Sequence, residues 1–364
     1  MITIGIDPHK RSHTGAAVDA TTGEPLSELS VPATEEGHER VRAWAHGLAG
    51  EGVLLFALED CRHVSGRLER SLLARGERVV RVPPKLMGQA RRGQRQSGKS
   101  DAIDALAVAR ATPREPDLPV AHLDREAREL KLLLDHREDL VRERTAQVQR
   151  LRWHLHDVEE GLEPPARALR SERTRRSLAR RLARREQAVE VTIARELVSR
   201  IGEISRRERA LQIEIRERVR AYAPALFELP GCGELTAAKL IAEVAGAGRF
   251  RSDAQLARHA GCAPLEASSG RRRRHRLSRR GNRQLNCAFH RIAVTQARIH
   301  PQARAYLERK RAEGKSTREA LRCLKRHLVR RAFALLRARG PELPISISPK
   351  MQEMKASPPA MALT

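Results

Sequence analysis

The chain opens on a strict alternation. Ile2, Ile4 and Ile6 are separated by Thr3, Gly5 and Asp7, the period-two pattern of a strand with one apolar face. Further strands are predicted near His13–Ala20 and Pro25–Val31, with turn residues Thr22 and Gly23 between them. Glu35–Leu48 has helical periodicity. Val53–Leu58 is an apolar run that reads as a buried strand ending at Glu59. Val64–Arg75 reads as a helix and Arg78–Val82 as a short strand closed by Pro83 and Pro84. Strands first, then strands alternating with helices, predict a mixed α/β sheet domain over about 1–115.

The period then changes. Leu133, Leu140, Val148, Leu151 and Leu155 recur at helical spacing, as do Ile193, Leu197, Ile201, Ile204, Leu211 and Ile215. Narrow apolar stripes among charges suit a coiled-coil or oligomerisation region over 125–222. Between them, Arg170–Arg185 is rich in arginine and reads as a loop or a basic face. A third, basic and mainly helical segment covers 225–340. The stretch 341–364, rich in Pro and Ser without periodicity, reads as a disordered tail.

Composition narrows the function. The 364 residues carry 71 Lys+Arg against 45 Asp+Glu, a net charge of +26, so the chain needs a polyanion to offset self-repulsion. No apolar run approaches the roughly 20 residues that span a bilayer, and the first ten residues hold no basic-then-apolar leader. Nucleic acid is therefore the expected partner, no membrane is expected, and a cytoplasmic location follows. Aromatics are only 2 %, so the core must come from aliphatic side chains. The five cysteines form no C-x-x-C pair, which excludes a cysteine zinc site of that kind.

Against this basic background four acids stand at element ends. Asp7 closes the first strand, opposite its isoleucines, and Glu59 ends the later apolar strand. Asp101 and Asp104 open a helix behind Ser100, a fitting N-cap, and their i,i+3 spacing puts both on one face. Carboxylates gathered this way repel one another without a cation, and hard oxygen donors suit Mg²⁺ or Mn²⁺, ions that can assist phosphodiester chemistry. An acid in a first helical turn also favours the helix dipole by itself, so Asp101 alone carries no metal reading. Asp60 follows Glu59 and competes for its place.

Two later motifs address DNA. Leu229-Pro-Gly-Cys-Gly233 runs into a helix rich in Ala, Leu and Ile, the pattern of a helix-hairpin-helix in which Gly231 and Gly233 let backbone amides approach a phosphate. Further on, Ala263-Pro-Leu-Glu-Ala-Ser-Ser-Gly270 leads into eight arginines between 271 and 283 with no acid: Arg271, Arg272, Arg273, Arg274, Arg276, Arg279, Arg280 and Arg283. Such a block binds phosphates with strong salt dependence. A serine hydroxyl at its edge can attack a phosphodiester if guanidinium groups stabilise the developing charge.

In order, Gly5-Ile-Asp7, Ala57-Leu-Glu59, Lys99-Ser-Asp-Ala-Ile-Asp-Ala105, Leu229-Pro-Gly-Cys-Gly233, Pro264 to Gly270 and Ser278-Arg-Arg-Gly281 resemble the DEDD transposases of bacterial insertion sequences, the 110/116/902 family. The likeness covers about 1–340. It implies a RuvC-like N-terminal domain with a ribonuclease H fold, in which Asp7, Glu59, Asp101 and Asp104 are the metal ligands. It also implies a C-terminal domain whose Ser269 forms a phosphoserine link to DNA. It further implies recombination directed by a structured bridge RNA, and a homo-oligomer, dimer or tetramer, whose protomers share active sites. Ser268 adjoins Ser269, and the family pattern selects the serine directly before Gly270. Where many members continue the glutamate with Ala-Thr-Gly, this chain has Asp60-Cys-Arg-His.

Two rival functions use parts of the same set. A RuvC-like nuclease acting on branched DNA by hydrolysis needs the acids but not Ser269. A non-catalytic nucleic-acid binder needs the hairpin and the arginines but no metal. A tyrosine recombinase is disfavoured, because Tyr222 and Tyr306 are the two tyrosines and neither stands in an Arg/His motif along the sequence.

Overall fold

A computed structural model describes residues 1–60, 62–83, 86–87, 100–115, 118, 120–165, 167–268, 275–276, 278 and 281–338. Ser269, Arg271, Arg272, Arg273, Arg274, Arg279, Arg280 and the stretch 341–364 lie outside the described residues. Two compact units emerge. Among the described residues, one comprises those of 1–123 with 246–259 and 336–338, the other those of 124–245 with 260–335.

The first unit is built on strands β1 (Ile2–Pro8), β2 (Ser12–Asp19), β3 (Pro25–Pro32), β4 (Leu54–Glu59) and β5 (Val79–Val82), in the order β3-β2-β1-β4-β5. β1 is antiparallel to β2 and β2 to β3, whereas β1–β4 and β4–β5 are parallel. This strand order and mixed pairing match the ribonuclease H arrangement expected for the domain. Helices α1 (Glu35–Ala49) and α2 (Arg62–Ala74) cover one face, and α3 (Asp101–Arg114) the other.

Strand alternation sorts the residues. Ile4, Ile6, Phe56, Leu58 and Val79 join Val41, Ala45, Leu68 and Leu72 in the core under α1 and α2. Ala57, Val80 and Val82 join Val108 and Ala111 under α3. Gly5 is where α3 comes closest: a Cβ there would lie 2.3 Å from Ala105 O and from Ala109 N. Only a residue without a side chain lets α3 settle against β1. Ser100 caps α3 as the sequence requires, its hydroxyl accepting from the Ile103 amide.

The second unit is helical. α4 (Arg125–Val158) and α6 (Val189–Tyr222) are 34 residues each and pack together, with α5 (Glu172–Ala183) between them in sequence. Arg218 near the end of α6 meets Glu126 and Glu129 at the start of α4, so the long helices run antiparallel. Arg137 and Arg144 of α4 converge on Glu208 of α6. Leu134, with Leu133 only half-buried, carries the α4 stripe, because packing chooses within the run Leu132-Leu133-Leu134.

The reading of Arg170–Arg185 as a loop is corrected: Glu172–Ala183 is helix. Leu178 and Leu182 face the apolar cluster of Leu151, Leu155 and Ile201. Arg175 is buried and donates to the Leu169 and Arg170 carbonyls, and Arg173, Arg176, Arg180 and Arg181 form an exposed, basic face. α7 (Glu234–Val244) packs on α4, on α6 and on α9 (Arg283–Ile299). After α8 (Asp253–His259, in the first unit) come a short ribbon, β6 (Leu265–Glu266) with β7 (His275–Arg276), and helices α10 (Pro301–Ala312) and α11 (Thr317–Arg337). No helix among the described residues is long and apolar enough to cross a membrane.

Candidate functional site

Asp7 lies beyond Ile6, which pairs with Leu58 in the parallel register of β1 and β4. Continuing that register sets Asp7 beside Glu59 at the same end of neighbouring strands. Alternation turns both toward α3, since Ile6 and Leu58 face the opposite core. Asp60 follows beyond the end of β4, its amide donating to the Val82 carbonyl at 3.0 Å. Asp101 and Asp104 enter from the first turn of α3, held by the Ser100 cap and the close approach at Gly5. Asp7 is 5 % and Asp104 7 % exposed, whereas Asp101 is open to solvent.

His9 joins them. Its Nε2 is 3.1 Å from Asp7 Oδ2 and 3.3 Å from Asp101 Oδ1. Donor atoms of Asp7, His9 and Asp101 all lie within 4.8 Å of one another, the one such group of three found among the described residues. Sequence reasoning missed His9. The available signal was its place two residues after Asp7, where an extended chain returns to the same face.

The electrostatics favour a cation. Burial pushes the Asp7 carboxyl above its ordinary range. His9 offsets this in part, while the charges of Asp104 and Asp101 push it further up. Converging carboxylates with an imidazole, one of them costly to ionise alone, form a donor set that fits a divalent metal ion.

In the second unit, the Leu229–Gly233 turn has a different anatomy from the one its sequence suggested for both glycines. Gly231 adopts φ +81°, and a Cβ there would fall 2.9 Å from the Thr295 side chain on α9. Gly233 meets nothing within 4 Å and opens α7. Gln296 also donates to the Pro230 carbonyl at 2.8 Å. Gly231 thus serves packing inside the protein, and Gly233 is the glycine with open space beside it.

Arg276 stands exposed on β7, and Ser268 Oγ donates to Glu266 Oε1. The segments on either side of the ribbon cross at two glycines: a Cβ on Gly281 would lie 2.1 Å from the Gly261 amide nitrogen. The sequence placed neither tyrosine in an Arg/His motif, and here the structure corrects it. Tyr306 packs edge-on to His327, ring centroids 5.1 Å apart, with Arg309 and Lys310 over its ring. α10 and α11 bring together residues that are separate in sequence.

A family model described as "Transposase IS116/IS110/IS902 family" matches residues 223–308, and a DEDD transposase model named for IS110 matches residues 4–159. The insertion element IS116 uncharacterized 44.8 kDa protein of Streptomyces clavuligerus is 29 % identical over 392 residues, spanning 92 % of this chain and 94 % of that protein. The insertion element IS900 uncharacterized 42 kDa protein of Mycobacterium paratuberculosis is 27 % identical over 381 residues, spanning 92 % and 95 %. Among solved structures, Thermus thermophilus RuvC in complex with a Holliday junction substrate is similar at 17 % identity and a TM-score of 0.25, covering 32 % of this chain and 94 % of RuvC.

Proposed function

The chain belongs to the IS116/IS110/IS902 transposase family, and we propose that it cuts and rejoins DNA through a composite of two chemistries: a Mg²⁺ or Mn²⁺ site on Asp7, Glu59, Asp101 and Asp104, and Ser269 as nucleophile. The observation that carries this reading is the meeting of Asp7 and Asp101 at His9, with Asp104 one turn further along α3. A bound divalent cation supplies stabilisation of charge on attacking and leaving oxygens. The protein's own part is to hold the carboxylates: the β1–β4 register fixes Asp7 beside Glu59, Ser100 and Gly5 fix the start of α3, and His9 braces Asp7 against Asp101. In the covalent step the Ser269 oxygen bonds the phosphorus as the bond to the leaving nucleotide oxygen breaks, and the serine proton is passed to that oxygen. The phosphoserine ester conserves the bond for rejoining. Arg271–Arg274, Arg276, Arg279 and Arg280 neutralise the phosphates, and Gly233 leaves room for a backbone approach at α7.

A structured bridge RNA directs the choice of sites in this reading, and the working form is a homo-oligomer, dimer or tetramer, acting on the nucleoid in the cytoplasm. The test is strand exchange in vitro with separate variants. Ser269→Ala is expected to abolish the covalent protein–DNA adduct, and Asp7→Asn to abolish cleavage. Full strand exchange by Ser269→Ala would overturn the serine chemistry and leave the hydrolytic nuclease.

A further inference from the structure

The second unit contains a cavity of about 550 Å³ walled by β7, α10, α11 and the chain around Gly261. Its lining is strongly cationic, with Arg276, Lys315, Arg322, Lys325 and Arg326, and Tyr306 forms an aromatic wall. The two carboxylates in the lining are engaged locally. Both oxygens of Glu313 accept from Lys310 Nζ, at 2.9 and 2.8 Å. Glu319 accepts from the Ser316 amide and hydroxyl at 2.9 and 2.6 Å.

Lys325 is the informative residue. It is only 5 % exposed, and its ammonium donates to the neutral amide oxygen of Asn286 at 2.6 Å rather than to a carboxylate. Asn286 is itself oriented, its amide nitrogen donating to the Ala260 and Gly261 carbonyls at 3.1 and 2.9 Å. The acceptor facing Lys325 is therefore built into the fold. A buried ammonium without a counter-charge is costly. Burial lowers its affinity for the proton, as it does for His327 in the same wall. Lys315, half-buried at the rim, forms no ion pair among the described residues. One anion with several acceptor oxygens would satisfy these donors together.

We propose that this cavity seats a backbone phosphate of duplex DNA, with Lys325 as the buried cation and Lys315 and Arg276 at the rim. The assignment of the phosphate to DNA rests on the transposase reading. The phosphate chemistry itself does not. The cavity is larger than one phosphate needs and accommodates adjoining sugar, as a strand passing through it requires.

The test uses the full chain in EDTA, so that no cleavage occurs. Binding of a fluorescent duplex is titrated against salt, and inorganic phosphate is followed separately by ³¹P line broadening. Lys325→Gln is expected to weaken duplex binding about ten-fold and to reduce the log–log salt slope by about 0.9. Because a buried lysine also bears on folding, Lys315→Gln, with unchanged thermal melting, is the second variant. It is expected to weaken binding about three-fold with the same kind of slope change. Phosphate broadening that depends on Lys325, together with the duplex effect, supports the site and shows that it also takes the free anion. The duplex effect without broadening supports a backbone phosphate alone. Unchanged duplex affinity and slope in both variants would overturn the proposal, and so would an effect confined to free phosphate or to a structured RNA. Since the assay involves no strand exchange, failure of the Asp7 or Ser269 variants in the preceding test leaves this result standing.

Discussion

Asp7 and Lys325 are each 5 % exposed, and each is a buried charge with like charge nearby. Asp7 lies among Asp104 and Asp101 at the end of a sheet, Lys325 beside Arg322 in a helical wall. The first is assembled from strands and a helix far apart in sequence, through parallel pairing and a backbone contact at Gly5. The second is assembled from consecutive helices and one oriented asparagine. Both arrangements are unfavourable in isolation, and in the readings proposed above each is relieved by a ligand of opposite sign, a divalent cation in one unit and a phosphate in the other. A phosphodiester substrate handled with a metal ion meets both demands. The difference also teaches where the fold is brittle: the sheet site depends on one interlocked register, while the helical site depends on several replaceable donors.

Breaking the acidic side gives the largest effect. Asp7→Asn is expected to lower strand exchange at least about a thousand-fold, roughly 4 kcal/mol of transition-state stabilisation. Its thermal melting should not fall, because the change removes a buried, repelled charge. Melting lower than the parent's would show that Asp7 serves the fold rather than the chemistry. Next, Gly5→Ala forces a Cβ into the backbone of α3 and is expected to cost about 3 kcal/mol, read as an early-melting first unit. A melting point equal to the parent's would contradict the close approach.

Acid sharpens the comparison further, since the sheet unit carries a buried histidine pair. His13 stacks on His38 with centroids 5.4 Å apart, and burial pushes its pKa down to about 4. A pKa depressed from the ordinary 6.5 means that the folded state binds this proton less readily than the unfolded chain. The associated stability is present above pH 6.5 and is lost as pH falls toward 4, up to about 3 kcal/mol. Denaturant titrations of the parent and His13→Phe over this window should diverge in slope, and parallel curves would remove His13 from the account. The smallest effects separate the two glycines of the hairpin. Gly231→Ala, at φ +81° against Thr295, is expected to cost about 2 kcal/mol. Gly233→Ala, with open space around it, should stay within about 1 kcal/mol. Equal costs would mean that Gly231 is not packed as described.

Local pattern alone determined much of this protein. Alternation of Ile2, Ile4 and Ile6 placed Asp7 on the opposite face, the apolar run before Glu59 marked a buried strand, and Ser100 announced the start of α3. These follow from short-range rules, period two in a strand and a hydroxyl at a helix N-terminus, which neighbouring residues enforce among themselves. The excess of 26 positive charges pointed to nucleic acid by simple electrostatics. Tertiary structure decided what depends on meetings between distant segments. It brought His9 between Asp7 and Asp101, chose Leu134 over Leu133, made a helix of Glu172–Ala183, turned Gly231 inward against α9, and set Lys325 and Tyr306 in the wall of one cavity. No local rule contains those contacts, because each exists only once helices and strands remote in sequence have packed and excluded water from the space between them.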